Sequence, residues 1–234
     1  MRNLVKAIKN LFLEAVLNFL QSQKLLQSGA QFKKLSSVEL DGEILVGRHV
    51  KIGREVSFKG KVELSDGVTI SDNCKLKDCF IGPNTDVRTN SLIEDSEISS
   101  DSFVGPFARI RSNTKIGKQA QIGNFVEIKS SSIGKNCRIN HMAFIGDASI
   151  GDNVTIGAGT ITCNHDGIGI NTTIIEDGAY VGSNVNLVAP LIVGSNSTIG
   201  SGSTITKDVP KSKLTLARSR QETINNWRGP KLRR

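Results

Sequence analysis

The chain has 234 residues, with 30 Lys and Arg against 22 Asp and Glu and a formal net charge of +8. That length suits one large domain or two small ones and leaves ample chain for a core. Gly is high at 23 while Pro is 5, and 38% of residues are apolar but only 5% aromatic, which excludes collagen and disordered linkers.

The excess charge sits at the ends. Arg2, Lys6, Lys9, Lys24, Lys33 and Lys34 face only Glu14 at the N-terminus. At the C-terminus Lys207, Lys211, Lys213, Arg218, Arg220, Arg228, Lys231, Arg233 and Arg234 face Asp208 and Glu222. The body between is mildly acidic, which argues against a nucleic-acid binder acting through its whole surface.

In chain order, 3–27 reads as an amphipathic helix, because Leu4, Ile8, Leu11, Phe12, Ala15 and Phe19 recur at three- and four-residue steps. Packing against the first coil or a neighbouring subunit is the expected use. Peripheral contact with an anionic membrane is the second reading and is not favoured. Glu14 and Asn18 interrupt the apolar run and no small-residue cleavage pattern follows, so a signal peptide is not expected. No stretch approaches the ~20 apolar residues of a membrane span.

From residue 46 an aliphatic residue or Phe returns nearly every six positions: Val46, Ile52, Phe58, Leu64, Ile70, Leu76. After a shortened step the series runs on through Ile81, Ile98, Ile116, Ile139 and Ile156, breaks, and resumes from Ile175 to Ile205. Gly often follows the aliphatic residue, as at Gly53, Gly117, Gly134, Gly157 and Gly182. A period of six fits neither a 3.6-residue helix nor a hairpin sheet. It predicts an all-β parallel β-helix, with three hexads making a triangular coil and about nine coils over 46–207. Aliphatic side chains fill the narrow prism, and Gly serves corners where a Cβ would clash or strain φ. Periodicity does not fix the hand; the general crossover rule favours right-handed. The expected division is 1–45 as helix and lead-in, 46–207 as β-helix and 208–234 as an irregular basic tail.

The break at 161–174 is expected to be a loop on one face of the solenoid. Cys74, Cys79, Cys137 and Cys163 form no C-x-x-C pair, so neither a zinc site nor a disulfide framework is expected, and a reducing cytoplasm is the default. His141, close to this break, is one of three histidines with His49 and His165. Spacing alone reads it as structural more readily than catalytic.

The wording of 104–111 (VGPFARIR), 123–129 (GNFVEIK), 145–147 (IGD), 150–164 (IGDNVTIGAGTITCN), 181–190 (VGSNVNLVAP) and 216–221 (LARSRQ) is more restrictive than the hexad. These strings resemble the acetyltransferase domain of the bifunctional N-acetylglucosamine-1-phosphate uridyltransferase/glucosamine-1-phosphate N-acetyltransferase family. The resemblance covers roughly 93–230. It implies a left-handed parallel β-helix, a homotrimer with active sites between subunits, and acetyl-CoA as co-substrate with no metal. The family's L-x-x-G-x-G-T-R-M nucleotide-binding string is absent, so uridyl transfer is not expected of this chain.

Residue by residue, the resemblance implies His141 as general base, a role that suits an imidazole. It implies Arg111 and Lys129 as cations for a sugar phosphate, and Asn164, with Asp166 beside it, as a contact to the amino sugar. Ala158 is implied as an oxyanion-type N–H donor, and Ser183, Ser201 and Arg218 as coenzyme contacts. The chain departs from the family at Phe144, where a Tyr is usual, at Thr155 for Asn, at His165 for Tyr, at Ile170 for a phosphate-binding Lys and at Ser201 for Ala. The leading expectation is therefore acetyl transfer to the amine of glucosamine 1-phosphate, within UDP-N-acetylglucosamine synthesis. The alternatives are another amino sugar, nucleotide-linked among them, and an inactive hexapeptide-repeat scaffold.

Overall fold

The computed structural model describes Lys6, Lys9, Phe12, Val16, Leu20, Gln23 and residues 25–227. The described residues before the first strand are helical from Lys6 to 27, with Phe12, Val16 and Leu20 exposed and Leu25 buried. Of the expected packing face, Phe12 is exposed, while Leu4, Ile8, Leu11, Ala15 and Phe19 lie outside the described residues, as does 228–234.

From Gln31 onward the chain winds as a parallel solenoid. One 11-stranded sheet runs from Gln31–Phe32 to Leu214–Thr215, and a 15-stranded sheet supplies the other two faces of the prism. Successive coils stack equivalent residues: Ile122 on Ile139, Ile139 on Ile156, Ile156 on Val181, and Val181 on Ile199. All of these are buried. Each such side chain contributes roughly 1.5–3 kcal/mol on leaving water, which explains how a core without tryptophan or tyrosine holds.

The stacking extends beyond 46–207 on both sides. Glu39–Val46 pairs along its whole length with Ser57–Leu64, and Leu40 is buried in the core. At the far end Val209 is buried and bridges to Val193, and Leu214 lies beside Thr198. Charged and small residues occupy the outward positions there and hide the period.

One corner of the prism changes character along the axis. In the first coils it lies inside continuous bent strands, Glu39–Val46, Ser57–Leu64, Lys75–Ile81 and Leu92–Ile98. A single left-handed residue makes each bend: Gly42, Gly60, Asp78 and Asp95. The shortened step seen at 76–81 is this corner, where pairing slips between Lys59 and Val62. From Arg109 on, the same corner divides the strand in two, as in Arg109–Arg111 and Thr114–Ile116.

Gly53, Gly117, Gly134, Gly157 and Gly182, which follow aliphatic residues, answer to close approach rather than to φ. A Cβ on Gly117 would fall 2.6 Å from the Gly134 carbonyl carbon of the next coil. The left-handed corner positions are mostly taken by other residues, notably Asn84, Asn136, Asn153, Asn184 and Asn196, with φ between 53° and 58°. Asn tolerates that region better than other side chains.

Candidate active site

Two groups of polar side chains stand on neighbouring parts of the surface. The first follows a corner. His141 ends the strand Arg138–His141 and is exposed. Its Nδ1 lies 2.6 Å from Asn124 Oδ1, the residue in register one coil earlier. Further along this corner the Ala158 carbonyl accepts from the N–H of Asn184. The Ser183 N–H donates to Ser201 Oγ at 3.1 Å. Gly202 donates to the Ser183 carbonyl, and a Cβ on Gly202 would reach Arg218 Cδ at 3.9 Å. Ala158, Ser183, Ser201 and Arg218 therefore follow one another along the axis beyond His141.

The second group covers the adjoining face. Arg111 and Lys129 are directly in register, and Gly146 follows in the next coil. Strand spacing of about 4.8 Å holds the two cations side by side. Each has a carboxylate partner. Arg111 Nε donates to Glu127 Oε1 at 2.8 Å, and Lys129 Nζ lies 3.8 Å from Asp147 Oδ2. Asp147 is the most enclosed of these, its side chain 17% exposed, and it also accepts from Asn164 Nδ2 at 2.6 Å. Phe144 lies over Gly146, where an added Cβ would meet its ring at 2.8 Å. Arg111, Lys129, Phe144 and Asn164 are thus brought together, with Glu127 and Asp147 added to the set.

The cleft that His141 lines is formed with Arg88, Phe103, Phe107, Asn124 and Phe125, and neither Arg111 nor Lys129 reaches it within one chain. Thr155 lies elsewhere again, in register between Arg138 and Tyr180.

The break in the repeat is narrower than 161–174. Ile161–Cys163 remains a strand, and stacking resumes at Thr173–Ile175. Between them the chain folds back on itself through a bridge between His165 and Ile170, and the Asn171 N–H closes onto the Asn164 carbonyl. Both His165 and Ile170 are exposed. Asp166 holds the loop by accepting from the N–H groups of Gly169 and Ile168 and from Asn171 Nδ2. Those donors, Gly169 first, draw its carboxyl down to about 2. The thiols move the other way, since burial pushes Cys79 up to about 12 and Cys74 and Cys137 up to about 11. Among the described residues no group of three His, Cys, Asp or Glu side chains could hold a metal ion, and no helix is long and apolar enough to cross a membrane.

Asn124, Glu127 and Asp147 were legible only through the coil length. Asn124 precedes His141, and Glu127 and Asp147 follow Arg111 and Lys129, by one turn of the solenoid.

Comparison with known proteins shows what the chain is similar to. Residues 172–207 match the bacterial transferase hexapeptide (six repeats), and 40–132 match the GMPPB C-terminal domain. The bifunctional protein GlmU of Methylococcus capsulatus is 47% identical over 219 residues, 93% of this chain and 48% of the relative. That of Marinobacter nauticus is 42% identical over 211 residues, 90% of this chain and 46% of the relative. The chain is similar to one part of the bifunctional protein GlmU. It spans about half the length of these relatives. Among solved structures, the Arabidopsis UDP-N-acetylglucosamine acyltransferase aligns with a TM-score of 0.59 at 18% identity, covering 77% of this chain and 70% of that one. At that identity the likeness speaks for the fold alone. Together with the hexapeptide match it identifies the left-handed parallel β-helix, against the general crossover rule.

Proposed function

We propose that the chain transfers acetyl from acetyl-CoA to the amine of glucosamine 1-phosphate. The observation that carries this reading is the pairing of two built surfaces. His141 and the Ala158–Ser183–Ser201–Arg218 series run along one corner, and Arg111 and Lys129 stand in register on the next face.

The chemistry follows from the groups. The sugar amine attacks the thioester carbonyl once it has lost its proton, and His141 Nε2 takes that proton. The Ala158 N–H is assigned to the developing oxyanion. The carbon–sulfur bond then breaks, and coenzyme A leaves as a thiolate that takes up a proton. Arg111 and Lys129 bind the sugar phosphate, whose dianion competes with Glu127 and Asp147 for them. Asn164 orients the sugar, with Phe144 beneath it. Ser183, Ser201 and Arg218 bind the coenzyme.

Because His141 and the two cations open onto different surfaces, one chain supplies half of each kind of contact, and we assign the complete site to the junction of subunits in a homotrimer. The corner beside His141 supports this. Phe107, Phe125 and Met142 stand there exposed with left-handed φ, and the two rings stack 5.3 Å apart. Bulky apolar residues rarely adopt that backbone in open solvent, and a neighbouring copy is the cover we assign. We further assign the chain to the cytoplasm, acting on neither nucleic acid nor membrane.

A second reading keeps the donor and changes the acceptor. Phe144, Thr155, His165 and Ile170 depart from the family pattern, and exposed Ile170 brings no charge to the phosphate. Acetyl-CoA-dependent thiol release, measured with glucosamine 1-phosphate, glucosamine 6-phosphate and UDP-linked amino sugars, separates the two. Turnover with glucosamine 1-phosphate supports the proposal. Turnover only with a nucleotide-linked sugar transfers the activity to that acceptor, and release with none leaves the chain a scaffold.

A further inference from the structure

The contact between Asn124 and His141 decides which ring nitrogen can act as the base. Asn124 Oδ1 lies 2.6 Å from His141 Nδ1. An amide oxygen can only accept, so the proton of the neutral imidazole must sit on Nδ1, leaving the Nε2 lone pair open to the cleft. The backbone reinforces this placement. Asn124 and His141 are in register on adjacent coils, and the Met142 N–H donates to the Asn124 carbonyl at 3.0 Å. Next to Asn124, Gly123 admits the Asn140 carbonyl so closely that a Cβ would strike it. The two side chains therefore meet at the end of two strands whose spacing is fixed on both sides, and neither can slide along the axis without breaking ladder hydrogen bonds.

We infer that Asn124 is the positioning residue of the acetyl-transfer reaction, holding His141 as its Nδ1–H tautomer so that Nε2 is the proton acceptor. The inference rests on the proposed role of His141 as base. An amide suits the task because it orients the ring without adding charge, whereas a carboxylate in its place would stabilise the imidazolium and raise the ring's pKa.

The test combines kinetics with nitrogen NMR on the intact chain, and begins with His141→Ala, which must be inactive for the base assignment to stand. With that established, Asn124→Ala is expected to lower kcat by roughly 10- to 100-fold, the range typical of lost outer-shell partners, with KM for acetyl-CoA unchanged. Asn124→Asp, nearly isosteric, should recover kcat to within a few-fold and move the acidic limb of the pH profile upward. In the unsubstituted chain the ring of His141, one of three histidines, should show a protonated Nδ1 and a bare Nε2 when neutral. A neutral ring protonated on Nε2, or an Asn124→Ala variant with undiminished kcat and an unmoved pH profile, would overturn the inference while leaving the base assignment intact. Retained activity in His141→Ala would instead remove the reading on which it depends.

Discussion

The coils before residue 100 and those after it are built from the same hexads but serve different ends. In the early coils the third corner lies inside unbroken strands such as Ser57–Leu64, and the charged pairs there are open to water. Lys59 and Glu39, for example, are 48% and 59% exposed. In the later coils the strand divides at that corner, and Arg111, Lys129, Asp147 and Asn164 gather around the divide. Arg111 and Lys129 keep only 28% and 26% of their side-chain surface. A regular solenoid thus stays uniform inside while one corner is opened to hold enclosed charge.

The sharpest way to break this comparison is His141→Ala. The residue is exposed and lies outside the aliphatic core, so acetyl transfer should fall by about 10²- to 10⁴-fold with little change in thermal stability. Equal loss of stability would mean that the corner is structural. Next comes the interior. Ile139→Ala should cost about 2–5 kcal/mol in denaturant unfolding, because the site is sealed by coils on both sides. Ile174→Ala, on the outward side of its strand and 40% exposed, should cost under about 0.5 kcal/mol. Similar costs at the two positions would contradict the inside–outside alternation.

Lys129→Ala tests the enclosed cation against an open one. It should raise KM for the sugar phosphate by roughly tenfold, the worth of about one charged hydrogen bond, while Lys59→Ala should leave KM alone. Equal effects would erase the distinction between early and late coils. The smallest effect concerns the loop. Asp166 is held below its ordinary value of 3.8, so its contribution is present above that pH and is lost as pH falls through about 2. Amide exchange at Ile168 and Gly169, corrected for intrinsic rates, should lose protection over that window and should already have lost it in Asp166→Ala. Protection unchanged by either would detach the carboxylate from the loop's order.

The repeat was legible because each coil returns the same aliphatic position to the same interior, so a six-residue period is a direct image of the prism. The first coil was not, since Leu40 and Ala30 fill it among outward Glu39, Asp41 and Glu43 that interrupt any apolar series. The corner glycines divide between the two expected causes: close approach of the next coil's backbone at Gly117, Gly134 and Gly157, and left-handed φ at Gly42 and Gly60. His141, Arg111 and Lys129 are singled out in the sequence by family wording alone. Their partners Asn124, Glu127 and Asp147 read as ordinary surface residues until the length of a coil places them in contact with those side chains.

The central claim is a site of two parts, a corner with the base and a face with the cations, completed between subunits. The most direct measurement mixes His141→Ala and Lys129→Ala chains, each impaired alone, after joint unfolding and refolding. If the site is shared, some junctions in mixed trimers pair an intact corner with an intact face, and acetyl transfer to glucosamine 1-phosphate should rise well above that of either variant refolded alone. Mixed trimers no more active than their parents would contradict it.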